Sequence, residues 1–247
     1  KSARKYHWAN GNEARIDIIT FTGAFHGRSL GAINAGGNPK YLEGFGPKLP
    51  GFVHLEWGDM DALEKAAAQP TAAPIFIEPG KLLAHEWDEG AAPDILCSAK
   101  GIGGGFPFGA CLTTEAVGEH MQPGSHGSTY GGNPLAMAVG NVVWDIISSE
   151  DFLAEVHRVS GTLAQGLKSL ADSHPDKVEA VTGKGLLTGL KMKSDPKSLQ
   201  GVCRDKNLLV GGAGNMVLRL APPLVITDDN VREATGIIDA ALSEWEG

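Results

Sequence analysis

Apolar positions follow two textures along this 247-residue chain. In the first, Ile16-Asp-Ile-Ile-Thr-Phe21 is short, β-branched and aromatic and runs into a Gly-bearing loop, which predicts a strand. Ile75-Phe-Ile77 and Ile95-Leu-Cys97 have the same character and predict two more. Between them Met60, Leu63 and Ala66–Ala68 follow Asp59, whose carboxylate suits an N-cap, so a helix is expected there. Strands alternating with helices predict an α/β domain with a mostly parallel sheet over residues 1–147, and Lys1-Ser-Ala-Arg-Lys-Tyr6 has the look of a helix tail. The second texture begins near Ser148, where Leu153, Val156, Val159, Leu163, Leu167 and Leu170 recur at steps of three and four. Gly185–Leu190, Leu208–Val210 and Met216–Leu220 then predict short strands. A closing helix is expected from a Thr227 cap through Val231, Ala234, Ile238, Ala241 and Trp245. That order predicts a smaller α+β domain over 148–247.

Composition narrows the function. A formal charge of −8 and a pI near 5.5 disfavour a phosphate-backbone partner, so nucleic acid is not expected. The apolar runs Ala136–Gly140, Val142–Trp144 and Ile146–Ile147 are broken by Gly, Asn and Asp and are too short for a bilayer. Cys97, Cys111 and Cys203 show no metal spacing and read as reduced thiols of a cytoplasmic protein, and the N-terminus lacks the apolar core of a signal peptide. Small-molecule chemistry remains.

Four segments could carry it. Asp94-Ile-Leu-Cys-Ser-Ala-Lys100 delivers one lysine from an apolar strand into the Gly-rich turn Gly101–Gly105. An amine at a strand end, partly desolvated, can form a Schiff base with an aldehyde cofactor. A nucleotide loop fails, because these glycines do not give G-x-G-x-x-G and Lys100 precedes them where a P-loop lysine would follow. Gly23-Ala-Phe-His-Gly-Arg28 places an aromatic ring, an imidazole and a guanidinium on one strand-exit loop. There Arg28 can clamp a carboxylate and Phe25 can cover a flat ring. Gly124-Ser-His-Gly-Ser-Thr-Tyr-Gly-Gly-Asn-Pro134 offers hydroxyl and backbone donors suited to a phosphate. Val217-Leu-Arg-Leu-Ala-Pro-Pro-Leu224 sets Arg219 in an apolar strand, where a charge demands an anionic partner.

Taken in order, Phe25-His-Gly-Arg28, Gly44-Phe-Gly-Pro47, Ala99–Ala110, His126–Pro134 and Arg219–Leu224 resemble the class III, fold-type I aminotransferases, most closely those of the acetylornithine type. The resemblance implies that Lys100 holds pyridoxal phosphate as a Schiff base and shuttles a proton between substrate and cofactor. Phe25 would stack on the pyridine ring, and Thr129, reaching across from the partner subunit, would hold the phosphate, so the active sites of a homodimer would be shared. Arg28 would clamp the α-carboxylate of acetylornithine, Ser128 would add a substrate contact, and Arg219 would clamp 2-oxoglutarate. The implied reaction moves the δ-amino group of N2-acetylornithine to 2-oxoglutarate, a step of arginine biosynthesis. Succinylornithine, ornithine and 4-aminobutyrate enzymes share that logic. A pyridoxal-phosphate aminomutase and a non-catalytic truncated homologue are alternatives.

Two family segments find no match: an N-terminal part with a phosphate-binding Ser-Gly-Thr-Glu-Ala-type loop, and an internal stretch at the Gly80–Lys81 join. The second would carry the Asp that pairs with the pyridine nitrogen. Residues missing at that join would separate its Cα atoms by more than one peptide link of about 3.8 Å. The same losses predict a structure without pyridoxal phosphate, and a true deletion would make a poor enzyme.

Overall fold

The computed structural model describes residues 1–69, the backbone of 71–74, residues 83 and 86, and residues 92–214 and 216–247. The strand expected over 75–77 and the Gly80–Lys81 join lie outside the described residues. The chain divides into two compact units, Lys1–Ile77 with Ala92–Asn141, and Glu78–Ala91 with Val142–Gly247.

In the first unit α1 (Ser2–Ala9) precedes β1 (Asp17–Phe21), followed by α2 (Leu30–Gly36), α3 (Pro39–Leu42), β2 (Phe52–Leu55), α4 (Met60–Ala67) and β3 (Thr71–Pro74). The three strands form one parallel sheet in the order β2-β1-β3. Its middle strand buries Ile19, Thr20 and Phe21 in succession, as a parallel strand covered on both faces does. Asp59 caps α4 by accepting from the Ala62 N–H at 2.9 Å, as its spacing predicts. Buried Asn34 ties three segments together. Its Nδ2 donates to Leu30 O, its Oδ1 accepts from Leu49 N, and its carbonyl lies 2.9 Å from His54 Nε2. Next come β4 (Ile95–Ala99) and β5 (Gly109–Thr113), which pair antiparallel, then α5 (Glu115–Gly118) and α6 (Pro134–Ile147), which runs across the boundary between the units.

The second unit opens with α7 (Glu150–Ser173), capped by the Ser149 hydroxyl. Val159, Leu163, Leu167 and Leu170 form its buried stripe, and each such side chain removed from water stabilises by about 1.5–3 kcal/mol. Then follow β6 (Val178–Lys184), β7 (Leu187–Met192), α8 (Lys197–Asp205), β8 (Gly211–Ala213), β9 (Val217–Leu220) and α9 (Asp228–Glu244). The strands form an antiparallel sheet ordered β6-β7-β9-β8, and α7 and α9 share a core with it through Leu167, Leu190, Leu218 and Ile238. Thr227 and Asn230 form a reciprocal capping box at the start of α9. The structure departs from the sequence expectation in this unit: β6 is not among the expected strands, and the strand expected at Gly185–Leu190 runs from Leu187 to Met192 because Gly185 and Leu186 make the turn from β6. The strand expected at Leu208–Val210 lies three residues later, because α8 ends at Asp205 and the chain is still turning back, with Leu208 N bonded to Cys203 O. Trp245 falls one residue past α9, where its indole N–H donates to Ser198 Oγ at 2.9 Å and its ring stays buried.

Candidate active site

Lys100 begins the turn that follows β4. Its φ is +59°, a left-handed conformation that side chains other than glycine rarely adopt, and it opens a tight turn Lys100–Gly103. Phe106 N donates to Gly103 O at 2.8 Å, and β5 returns with Gly109 opposite Ala99, so the ladder is paired up to the residue before the lysine. The Lys100 Nζ lies 5.8 Å from the centre of the Phe25 ring. Phe25 sits on the loop leaving the carboxyl end of β1, half exposed. The Arg28 guanidinium carbon, on the same loop, lies 5.6 Å from the Phe25 ring centre and 3.8 Å from that of Tyr41. Three of the sequence-predicted residues, Lys100, Phe25 and Arg28, therefore meet around one aromatic ring.

Tyr41 was not among them. The pair Asn38-Pro39 signals a helix start, since Asn38 Oδ1 caps α3 by accepting from Lys40 N and proline occupies the first turn. What that signal omits is that the helix carries Tyr41 under the guanidinium. Stacking engages the face of Arg28 and leaves its N–H edge available for a carboxylate in the ring plane. Behind Phe25, the His26 Nε2 is buried without a hydrogen-bond partner among the described residues. Burial, reinforced by His54, holds the His26 imidazole below its ordinary pKa.

Ser128 and Thr129 are exposed on the glycine turn before α6, where Gly131 N donates to Ser128 O and Asn133 Oδ1 caps the helix through Ala136 N. Among the described residues no hydrogen bond, ion pair or ring contact joins them to Lys100, Phe25 or Arg28. In the second unit Arg219 is exposed, not buried as its apolar neighbours imply. Side chains on a strand alternate, so Leu218 and Leu220 enter the core while Arg219 takes the other face and bears no desolvation penalty. Its guanidinium lies against Gly211, directly opposite on β8, where an added Cβ would come within 3.2 Å of Nη2.

A groove of about 370 Å³ lies within the second unit, lined by Leu163, Leu208, Pro222, Pro223, Val231 and neighbours. Its lining holds no lysine, arginine, histidine or cysteine, and Glu233 is the ionisable side chain there, so it offers no amine for Schiff-base chemistry. Among the described residues no helix is long and apolar enough to cross a membrane, and no group of three or more potential metal ligands occurs.

A lysine presented from a strand end beside an aromatic ring, on an α/β framework, has the chemistry an aldehyde cofactor needs. The family model for class-III aminotransferases matches residues 1–79 and 76–242, and the chain belongs to that family. It is 45% identical to the acetylornithine aminotransferase of Mesorhizobium japonicum over 97% of this chain and 70% of that protein. It is 42% identical to acetylornithine aminotransferase 2 of Caulobacter vibrioides over 98% and 70%. A solved amine transaminase from an uncultivated Pseudomonas species, in its pyridoxal-phosphate-bound form, superposes with a TM-score of 0.86 at 26% identity, covering 98% of this chain and 72% of that one. The fold is fold-type I and the chain is a pyridoxal-phosphate-dependent transaminase.

The same comparisons bear on the chain's length. The alignment to the first relative runs over 281 residues against a chain of 247, so at least 34 positions of that alignment have no counterpart here. The family match comes in two pieces that overlap at 76–79, next to Gly80–Lys81.

Proposed function

We propose that this chain moves the δ-amino group of N2-acetylornithine to 2-oxoglutarate, with Lys100 as the residue that holds pyridoxal phosphate. The observation that carries the reading is the convergence of the Lys100 amine and the Arg28 guanidinium on the exposed Phe25 ring, in a chain 45% identical to an acetylornithine aminotransferase. The residues present fit the cofactor's aldehyde and its flat face: an exposed primary amine on a strained turn and a half-exposed aromatic ring beside it. When bound, the cofactor supplies an aldehyde and an electron-withdrawing ring.

The chain's own residues then have separable tasks. Lys100 holds the cofactor, gives way to the donor's amine, and carries the proton from the donor's δ-carbon. Phe25 covers the ring and excludes water from that side. Arg28, stacked on Tyr41, turns its N–H edge to the donor's α-carboxylate, and Arg219 takes the carboxylate of 2-oxoglutarate. Ser128 adds a substrate hydrogen bond. Thr129 serves the phosphate of the other subunit in a homodimer, a reading supported by the exposed Leu135, Val142 and Ile146, which share one face of α6 and make an apolar stripe suited to a subunit contact. No residue assigned here replaces the carboxylate that the family resemblance places against the pyridine nitrogen. Residues 1–147 form the large cofactor-binding domain and 148–247 the smaller C-terminal α+β domain of a cytoplasmic enzyme.

The test is an absorbance titration of the purified protein with pyridoxal phosphate, then borohydride reduction, peptide mapping and turnover of N2-acetylornithine. A visible band with the label on Lys100, and glutamate formed only when 2-oxoglutarate is added, is the expected result. A label elsewhere overturns the assignment of Lys100. Turnover that needs no 2-oxoglutarate replaces the transaminase with an aminomutase.

A further inference from the structure

Strand β4 carries a second reactive group three residues before Lys100. Cys97 stands directly opposite Cys111 in the β4–β5 register, both thiols are exposed, and the Cys97 S–H donates to Cys111 Sγ at 3.6 Å. The third cysteine, Cys203, is buried in α8 of the other unit.

We propose that Cys97 and Cys111 form a reversible intramolecular disulfide, a modification site at the base of the lysine turn. Directly opposed residues of an antiparallel pair have Cα atoms about 4.5–5.5 Å apart, inside the span of about 4.4–6.8 Å that a disulfide bridges. The ladder therefore needs no slip, and the sulfurs close from 3.6 Å to a bond of about 2.0 Å by side-chain rotation. The chemistry is thiol–disulfide exchange with a small disulfide such as oxidised glutathione. One cysteine thiolate attacks a glutathione sulfur, releasing one glutathione thiolate. The second cysteine thiolate then attacks the mixed disulfide and releases the other glutathione. Two protein thiols are oxidised, one glutathione disulfide is reduced to two glutathiones, and two protons leave the protein. Exposure leaves the bridge open to attack by reductant as well, and such bridges belong to the labile, switchable kind. Because the ladder continues through Ser98–Ala110 and Ala99–Gly109, the bridge would pin the strand pair that ends at Lys100.

The purified chain is equilibrated in glutathione buffers of rising oxidised fraction, quenched, alkylated and mapped by mass spectrometry. The expected result is the loss of two alkylatable thiols together, a mass lower by two hydrogens, and one peptide pair linked through Cys97 and Cys111. Dithiothreitol restores both thiols, and C203A behaves as the parent. The C97S variant should accumulate glutathione on Cys111 instead of closing a bridge. Independent alkylation of the two thiols at every buffer composition overturns the proposal. So does a stable glutathione adduct on the parent chain, or a link only between two copies.

Discussion

The backbone at Lys100 is the sharpest quantitative handle on the site. Its φ of +59° places a side-chain-bearing residue in the left-handed region, which costs roughly 1–2 kcal/mol. Glycine removes that strain but loses about 0.5–1 kcal/mol more chain entropy on folding, so Lys100→Gly should exceed Lys100→Ala in stability by about 1 kcal/mol. The comparison isolates the backbone. Both variants lose the amine, and with it the exposed contact to the Phe25 ring at 5.8 Å, so that contribution cancels. For a protein of this size about 1 kcal/mol shifts the melting midpoint by roughly 2–4 °C. Thermal unfolding followed by circular dichroism should place Lys100→Gly above Lys100→Ala by that margin, while neither takes up a borohydride label from pyridoxal phosphate. Equal midpoints, or a higher one for alanine, would mean that the turn stores no strain, and that presentation of the amine has another origin. The expected trade is the one seen where function occupies a strained position: the residue that does the chemistry is not the one the backbone prefers.

Gly189 on β7 lies opposite Arg219, and an added Cβ would come 2.5 Å from Leu218 O and 2.7 Å from Val217 Cγ1, so Gly189→Ala must push β7 from β9. Overpacking of this kind costs about 1–3 kcal/mol, readable as a lower urea midpoint; an unchanged midpoint would show that the two strands separate freely. The pH response of the Phe25–Arg28 loop follows from His26, whose folded pKa is depressed by burial and then by His54. Its contribution to stability is present above the unfolded value of about 6.5 and is lost as pH falls through the folded value, because the unfolded chain takes up the proton first. Hydrogen exchange of the loop amides, compared at matched intrinsic rates, should therefore show protection that declines on acidification below neutral. Constant or rising protection contradicts the burial argument.

The sequence alone determined the parts governed by neighbours within a few residues. The β-branched run leading to Phe21, the Asp59 cap of α4, the three- and four-residue stripe of α7 and the Thr227 cap all formed where local spacing placed them. So did the delivery of Lys100 at a strand end, because an apolar strand followed by glycines leaves few other backbone paths. Tertiary structure decided what depends on a partner far along the chain. The parity of Arg219 follows from which face of β9 meets the core, and an apolar neighbourhood in sequence says nothing of that face. The three-residue displacement of β8 follows from where α8 releases the chain, and the stack of Arg28 on Tyr41 from the way α3 folds back after β1. The meeting of Cys97 with Cys111 rests on strand register alone, since side chains on one face repeat every second residue and only hydrogen-bonded pairing selects which two stand opposite.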